Sequence, residues 1–281
     1  MIVVQLAGGL GNQLFQYAAG RALAERHGVQ LRLDLRALHN RNTTDTPRSY
    51  ALAPFAVTGS LASWLDLRVI AIQERVGIAA KLKEVGHGYN AAFDQAGHRI
   101  YLEGYWQTER YFTSIEPTIR QEFRLLSSLS QQNAALLDAI SGGNAISVHV
   151  RRGDYASNPV TNAYHGLIGL EYYTAAAERI IGEVSDAHFY VFSDDQEWAH
   201  SNLRLPGPMT FVGRHTVNDA HEDLRLMSAC QHHIIANSSF SWWGAWLSDR
   251  PGKVVIAPRS WFRDSTIDTS DVCPSTWIRL S

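Results

Sequence analysis

Two adjacent guanidinium groups, Arg151 and Arg152, stand in the run His149-Val150-Arg151-Arg152-Gly153-Asp154-Tyr155. They follow the apolar stretch Ala145-Ile146-Ser147-Val148, which reads as a buried strand. In an open α/β sheet, ligands gather outside the carboxyl ends of the strands. Arginine offers a rigid fork that pairs two-pronged with phosphate, so a strand ending in Arg-Arg reads as an anion clamp. Two more strand ends carry polar groups: Ser193-Asp194-Asp195 after His188–Phe192, and Asn237-Ser238-Ser239-Phe240-Ser241 after His233–Ala236. Hydroxyls and free amides at a helix start suit phosphate. Simple capping accounts for one serine, not for three serines and an asparagine.

Asp194 and Asp195 suit a metal, a ribose or base, or a helix cap. No Asp-x-Asp triplet occurs in the chain, so no metal is expected. The charge of a departing diphosphate must then be offset by cations and amides, and one preorganised donor of this kind is worth about 3–4 kcal/mol in a transition state.

The elements that must position these groups alternate. A strand over 2–6 runs into Ala7-Gly8-Gly9-Leu10-Gly11, and Asn12 is expected to cap a helix that repeats apolar residues at Leu14, Ala18 and Ala22. Gly28 is placed as its left-handed end, followed by an alternating strand over 29–35. An irregular connection over 36–60, a helical middle over 61–85 and 107–140 and a strand at 99–103 complete the first half. After Ser141-Gly142-Gly143-Asn144, read as a linker, come helices over 169–183, 219–231 and 242–248 and strands at 209–212 and 253–257. Alternating strands and helices imply parallel sheets. The expectation is two Rossmann-like domains, 1–143 and 144–281, facing a central cleft.

The 281 residues carry a net charge of −2, with no basic field to draw in nucleic acid. Cys230 and Cys273 have neither metal-ligand spacing nor the density of a disulfide framework. Neither a signal peptide nor an apolar run of about 18 residues is apparent, so a cytoplasmic protein is expected. Eight tryptophans and eleven tyrosines suit sugar-binding clefts or a core. The Gly9-Leu10-Gly11 loop starts a dinucleotide fingerprint, but Leu14 holds the third glycine position. Asp34 stands near where a ribose-binding acid would fall. A dinucleotide-dependent reductase and a non-catalytic sugar-binding module are therefore the rivals, and both leave the arginine pair without a task.

Four segments together resemble the α-1,2-fucosyltransferases, glycosyltransferase family 11: Leu6–Ala18, His149–Tyr155, Phe192–Asp195 and Asn237–Leu247. The resemblance implies a GT-B fold, GDP-fucose as donor and inversion at the anomeric carbon, with no metal or other cofactor. It also implies transfer to the 2-hydroxyl of a terminal β-galactose on an oligosaccharide. Arg151 would then stabilise the GDP leaving group, with Arg152 supporting the loop or the pyrophosphate. His149 and Asp223 would read guanine, and Asn237, Ser238, Ser239 and Phe240 would join Asp194 and Asp195 around the donor. Gly9, Asn12 and Gln13 would face fucose or acceptor. For the general base, which must reach the acceptor hydroxyl, Asp154, His165 and the leaving phosphate all stand open. Animal members carry an N-terminal anchor. This chain starts at the catalytic domain, which implies a bacterial enzyme making surface polysaccharide on lipid-linked or soluble acceptors. Its membrane contact would be at most peripheral, at the inner face of the cell membrane.

Overall fold

A computed structural model describes residues 1–39, 48–213 and 219–281; part of the irregular 36–60 connection, residues 40–47, lies outside them. Two compact units emerge: Met1–Leu126 with Asp268–Pro274, and Ser127–Ile267 with Ser275–Ser281.

The first unit holds β1 (Ile2–Gln5), α1 (Leu10–His27), β2 (Leu31–Asp34), β3 (Ser60–Leu61), α2 (Trp64–Arg75), β4 (Ala80–Lys83), β5 (Ile100–Glu103) and α3 (Glu116–Glu122). Its parallel sheet runs β3-β2-β1-β5-β4, with Ile2 in register with Leu31 and Ile100. The opening βαβ unit is as the sequence predicts. Gly28 ends α1 at φ 61° and ψ 36°, in the left-handed region glycine enters freely. Gly20 lets α1 lie against the sheet, since a Cβ there would fall 2.9 Å from Leu31 Cδ1 and 3.1 Å from Val4 Cγ1. Asn12 is not the cap, however. The helix begins at Leu10 behind an extended Gly9, and Asn12 Oδ1 accepts from Gln107 Nε2 at 2.8 Å. The expected helix over 61–85 is also shorter. A Ser63–Asp66 capping box starts α2, Gly77 turns the chain at φ 74°, and 80–83 joins the sheet edge as β4. The 107–140 stretch breaks into 3₁₀ turns and short helices.

The second unit holds α4 (Gln131–Ser141), β6 (Ala145–Val150), α5 (Gly153–Ser157), α6 (Pro159–His165), α7 (Leu170–Ile181), β7 (His188–Ser193), α8 (Gln196–Asn202), β8 (Met209–Phe211), α9 (Ala220–Ala229), β9 (His232–Ile234), α10 (Ser239–Leu247), β10 (Val255–Pro258) and β11 (Ile278–Leu280). The parallel order is β11-β10-β9-β6-β7-β8. Side chains alternate across β6 and β7. Ile146, Val148, Phe189 and Val191 pack with Tyr173, Ala176 and Ile180 of α7, while Tyr190 and Phe192 pack with Leu226 and Met227 of α9.

The division falls after Leu126, not at the Ser141–Asn144 stretch. The physical reason is apolar: Leu136, Leu137 and Ile140 of α4 join the cluster beneath α9. Asp268–Pro274 returns to the first unit because Asp271 takes both Arg110 Nη1, at 2.9 and 3.0 Å, and the Tyr89 amide. Six of the eight tryptophans (106, 242, 243, 246, 261 and 277) are buried, so most of the tryptophan content is core. Both cysteines are buried and free. Among the described residues, no helix is long and apolar enough to cross a membrane.

Candidate active site

The parallel register of β6 and β7, His149 opposite Phe192 and Val150 opposite Ser193, delivers Arg151-Arg152 and Asp194-Asp195 to one sheet edge. There they form a wired cluster. Arg151 Nη1 reaches Asp194 Oδ2 at 2.7 Å and Nη2 reaches Asp154 Oδ1 at 2.5 Å. The other Asp194 oxygen accepts the Arg152 backbone N–H at 2.8 Å. Arg152 Nε donates to Asp195 Oδ2 at 3.3 Å, and its guanidinium lies 3.7 Å above the Trp198 ring. Asp195 also caps α8 through the Trp198 amide. Gly153 is required here, because a Cβ would fall 2.4 Å from Asp194 Oδ2. Burial pulls the Arg151 pKa down, but the Asp194 and Asp154 carboxylates outweigh it and raise it, so the guanidinium is a fixed cation.

Two arginines meet three aspartates in this cluster, so it is not a simple well of positive charge. What it offers an anion is directed donors. Arg151 Nε is buried without a hydrogen-bond partner, although buried polar groups are almost always paired. Two more orphans lie nearby in the fold: Nδ1 of His149 on β6 and Oδ1 of Asn237 just past β9. Burial, opposed by Asp194 and assisted by Arg151, holds the His149 pKa down at about 4. Its imidazole is therefore neutral near pH 7, with one donor and one acceptor nitrogen. Phe240, in the first turn of α10, sets its ring 5.6 Å from that of His149.

Asn237 is anchored by its Nδ2, which donates to the His165 carbonyl at 2.9 Å and the Trp261 carbonyl at 3.3 Å. Ser238 precedes α10 without a side-chain cap bond. Ser241 turns back to the Ala236 and Ser238 carbonyls, and Ser239 opens the helix. His165 ends α6 with its ring stacked on Tyr155 (4.5 Å, 7°) and 5.6 Å from Phe262. Tyr155 itself receives the Arg151 guanidinium at 5.1 Å and donates to the Asn237 carbonyl at 3.2 Å. Asp223 sits half-buried in the first turn of α9, which packs against α10. The structure thus joins His149, Arg151, Arg152, Asp154, His165, Asp194, Asp195, Asn237 and Phe240 through direct contacts or shared partners. Sequence reasoning missed Tyr155 and Trp198. The signal for both was helical spacing: Tyr155 follows Arg151 by four residues, and Trp198 follows Asp195 by three.

The glycine loop of the first unit is different. Gln13 is fully buried; its Nε2 donates to the Gly8 and Ser49 carbonyls and its Oε1 accepts from the Ala51 amide. Asp34 takes the Arg36 fork, the Arg36 amide and the Tyr101 hydroxyl, which leaves little for a ribose. Gly9 is the extended residue before α1.

Parallel α/β sheets in two units, the second with arginines at its carboxyl edge, are the architecture of the GT-B class. The whole chain, residues 1–281, matches the family model described as glycosyl transferase family 11. It is 33% identical to an alpha-1,2-colitosyltransferase of Escherichia coli, over 100% of this chain and 99% of that one. It is 30% identical to the O-antigen biosynthesis glycosyltransferase WbnK of the same species, over 98% and 99%. The fold is also that of the fucosyltransferase NodZ from Bradyrhizobium, with a TM-score of 0.51 at 16% identity, covering 90% of this chain and 94% of that one. The chain belongs to glycosyltransferase family 11.

Proposed function

We propose that this enzyme moves L-fucose from GDP-β-L-fucose to the 2-hydroxyl of a terminal β-galactose, with inversion and without a metal. The observation that carries the donor half is the buried Arg151 Nε with no acceptor, at a strand end where both other prongs of the fork are pinned by aspartates. A phosphate oxygen supplies the missing acceptor. The bond from the anomeric carbon to the β-phosphate oxygen breaks, and its electron pair leaves with GDP. A bond from the acceptor 2-oxygen forms on the opposite face, and the hydroxyl proton passes to a base. Arg151 meets the charge growing on the departing phosphate, which is where a preorganised donor lowers a barrier most. Arg152, stiffened by Asp195 and Trp198, supports the same diphosphate. The hydroxyls of Ser238 and Ser239, at the start of α10, hold phosphate or ribose. His149 and Asp223 read the guanine edge, beside the Phe240 ring.

Asp154 is the first candidate for the base. Its Oδ1 is held by Arg151 Nη2, so this role requires a phosphate oxygen to displace it there. His165 and the leaving phosphate remain the other two acceptors. In the first unit, Gly9 and Asn12 face the sugar side, and Gln13 holds their loop in shape.

A second reading is favoured by the 33% identity to a colitosyltransferase. Colitose is fucose without its 3-hydroxyl, so the same site would take GDP-colitose. The deciding experiment measures GDP release from GDP-fucose and from GDP-colitose, in EDTA, with and without a β-galactoside such as N-acetyllactosamine. Galactoside-stimulated release from GDP-fucose is the expected result, with an α-1,2 linkage in the product. Faster release from GDP-colitose would reassign the donor, and failure in EDTA with rescue by a divalent cation would overturn the metal-free mechanism.

A further inference from the structure

Helix α2 is apolar on two faces. Leu67 and Ile70 turn inward onto Val3, Tyr101 and Ala79, which accounts for its place on the sheet. Leu65, Val69, Ile72 and Val76 repeat at the i, i+4, i+7, i+11 spacing that aligns one stripe of a helix, and all four are exposed. Trp64 heads the stripe at 71% exposure, and Ile78 follows it just past the helix end. Single exposed apolar residues are ordinary. A stripe of four on one helix, headed by an exposed tryptophan, marks a surface that meets something apolar.

Charge selects the partner. Arg68 and Arg75 lie on α2, and Lys81 and Lys83 lie on β4 at the sheet edge. Lys81 Nζ sits 5.5 Å from the centre of the Tyr101 ring, the same ring that packs against Ile70, so this lysine borders the α2 side of the sheet. With Arg32, five cations stand against Asp66, Glu74 and Glu103. Asp66 is engaged by the capping box and Arg32, and Glu103 alone serves both lysines, at 2.6 and 3.3 Å. An apolar helical face with tryptophan at its end and a cationic border is the composition of a helix that lies in a bilayer interface. A second copy fits less well. The stripe is about 18 Å long and 10 Å wide, far short of the ~800 Å² each partner gives a stable interface, and edge lysines discourage strand pairing between copies.

We propose that this face of the first unit docks on an anionic membrane surface, with Trp64, Leu65, Val69, Ile72 and Val76 seated among the acyl chains and the lysines at the headgroups. The inference is independent of which sugar is transferred. It also adds a definite surface to the peripheral contact that sequence reasoning left without one. The test is flotation of the full chain with vesicles of phosphatidylcholine alone or mixed with phosphatidylglycerol. The wild-type protein is expected to partition onto the anionic vesicles at least about tenfold better than onto neutral ones, less so in high salt. The Leu65→Ser/Ile72→Ser variant should lose about tenfold of that partition while keeping its melting temperature and its GDP release with a soluble galactoside. No flotation of the wild type, equal flotation of both proteins, or a dimer that the variant dissociates would each overturn the proposal. The comparison of lipids on the wild type stands whether or not the variant folds.

Discussion

The carboxyl edges of the two parallel sheets both bury polar side chains and use them in opposite ways. At the first, Gln13, Gln16 and Asp34 are buried, and each has its polar atoms bound by the protein itself. At the second, Arg151 Nε, His149 Nδ1 and Asn237 Oδ1 are buried with no partner. An orphaned buried polar atom costs on the order of 1–3 kcal/mol. Three at one edge make sense if a ligand completes them. Under the proposed function, the first edge is scaffold and the second is the edge that takes the nucleotide.

Breaking the second edge should therefore remove chemistry, and breaking the first should remove stability. The largest effect is expected from Arg151→Ala, which should lower kcat/KM by about 10²–10³-fold, as loss of a transition-state donor does. Arg151→Lys should not rescue it, because the ammonium lacks the fork; full turnover in either variant would reject the role. Asp154→Asn should lower kcat by about 10²-fold in a transfer assay while GDP affinity stays within about threefold. Lost GDP binding would instead make Asp154 a strut for Arg151. Gln13→Leu strands two carbonyls and an amide and should cost about 2–3 kcal/mol in urea unfolding, with GDP affinity of the folded protein unchanged.

The smallest effect is on pH dependence. Burial holds His149 at about 4 and His233 well below its ordinary 6.5, so the unfolded chain binds more protons than the folded one below pH 6.5. Stability should be fully present above pH 6.5 and fall as the pH drops from there towards about 4. His149→Asn should flatten part of that slope in pH-dependent thermal melts, leaving the shares that belong to His233, His232 and His87.

Much of this was legible in the chain. Strands such as 145–148 and 188–192 announce themselves by unbroken apolar runs bounded by polar strand ends, and parallel sheets place those ends where ligands bind. The Arg151–Asp194 pair was not legible, because it depends on which strands are neighbours, and periodicity fixes strands without pairing them. The assignment of Asp268–Pro274 to the first unit was hidden for a similar reason: it rests on one aspartate meeting Arg110 and Tyr89 far along the chain. In Ala80–Lys83, alternating lysines carry too little apolar signal to mark an edge strand. In α2, the apolar spacing announces a helix with two apolar stripes, and only packing shows which one is left outside.

Hydrogen exchange of the full chain with and without GDP compares the two edges in one experiment. Protection is expected at 149–155 and 237–241, where the nucleotide meets Arg151 and the start of α10, with the 8–16 loop unchanged. Protection of the 8–16 loop alone, with none near Arg151, would contradict the account and place the nucleotide on the glycine turn instead.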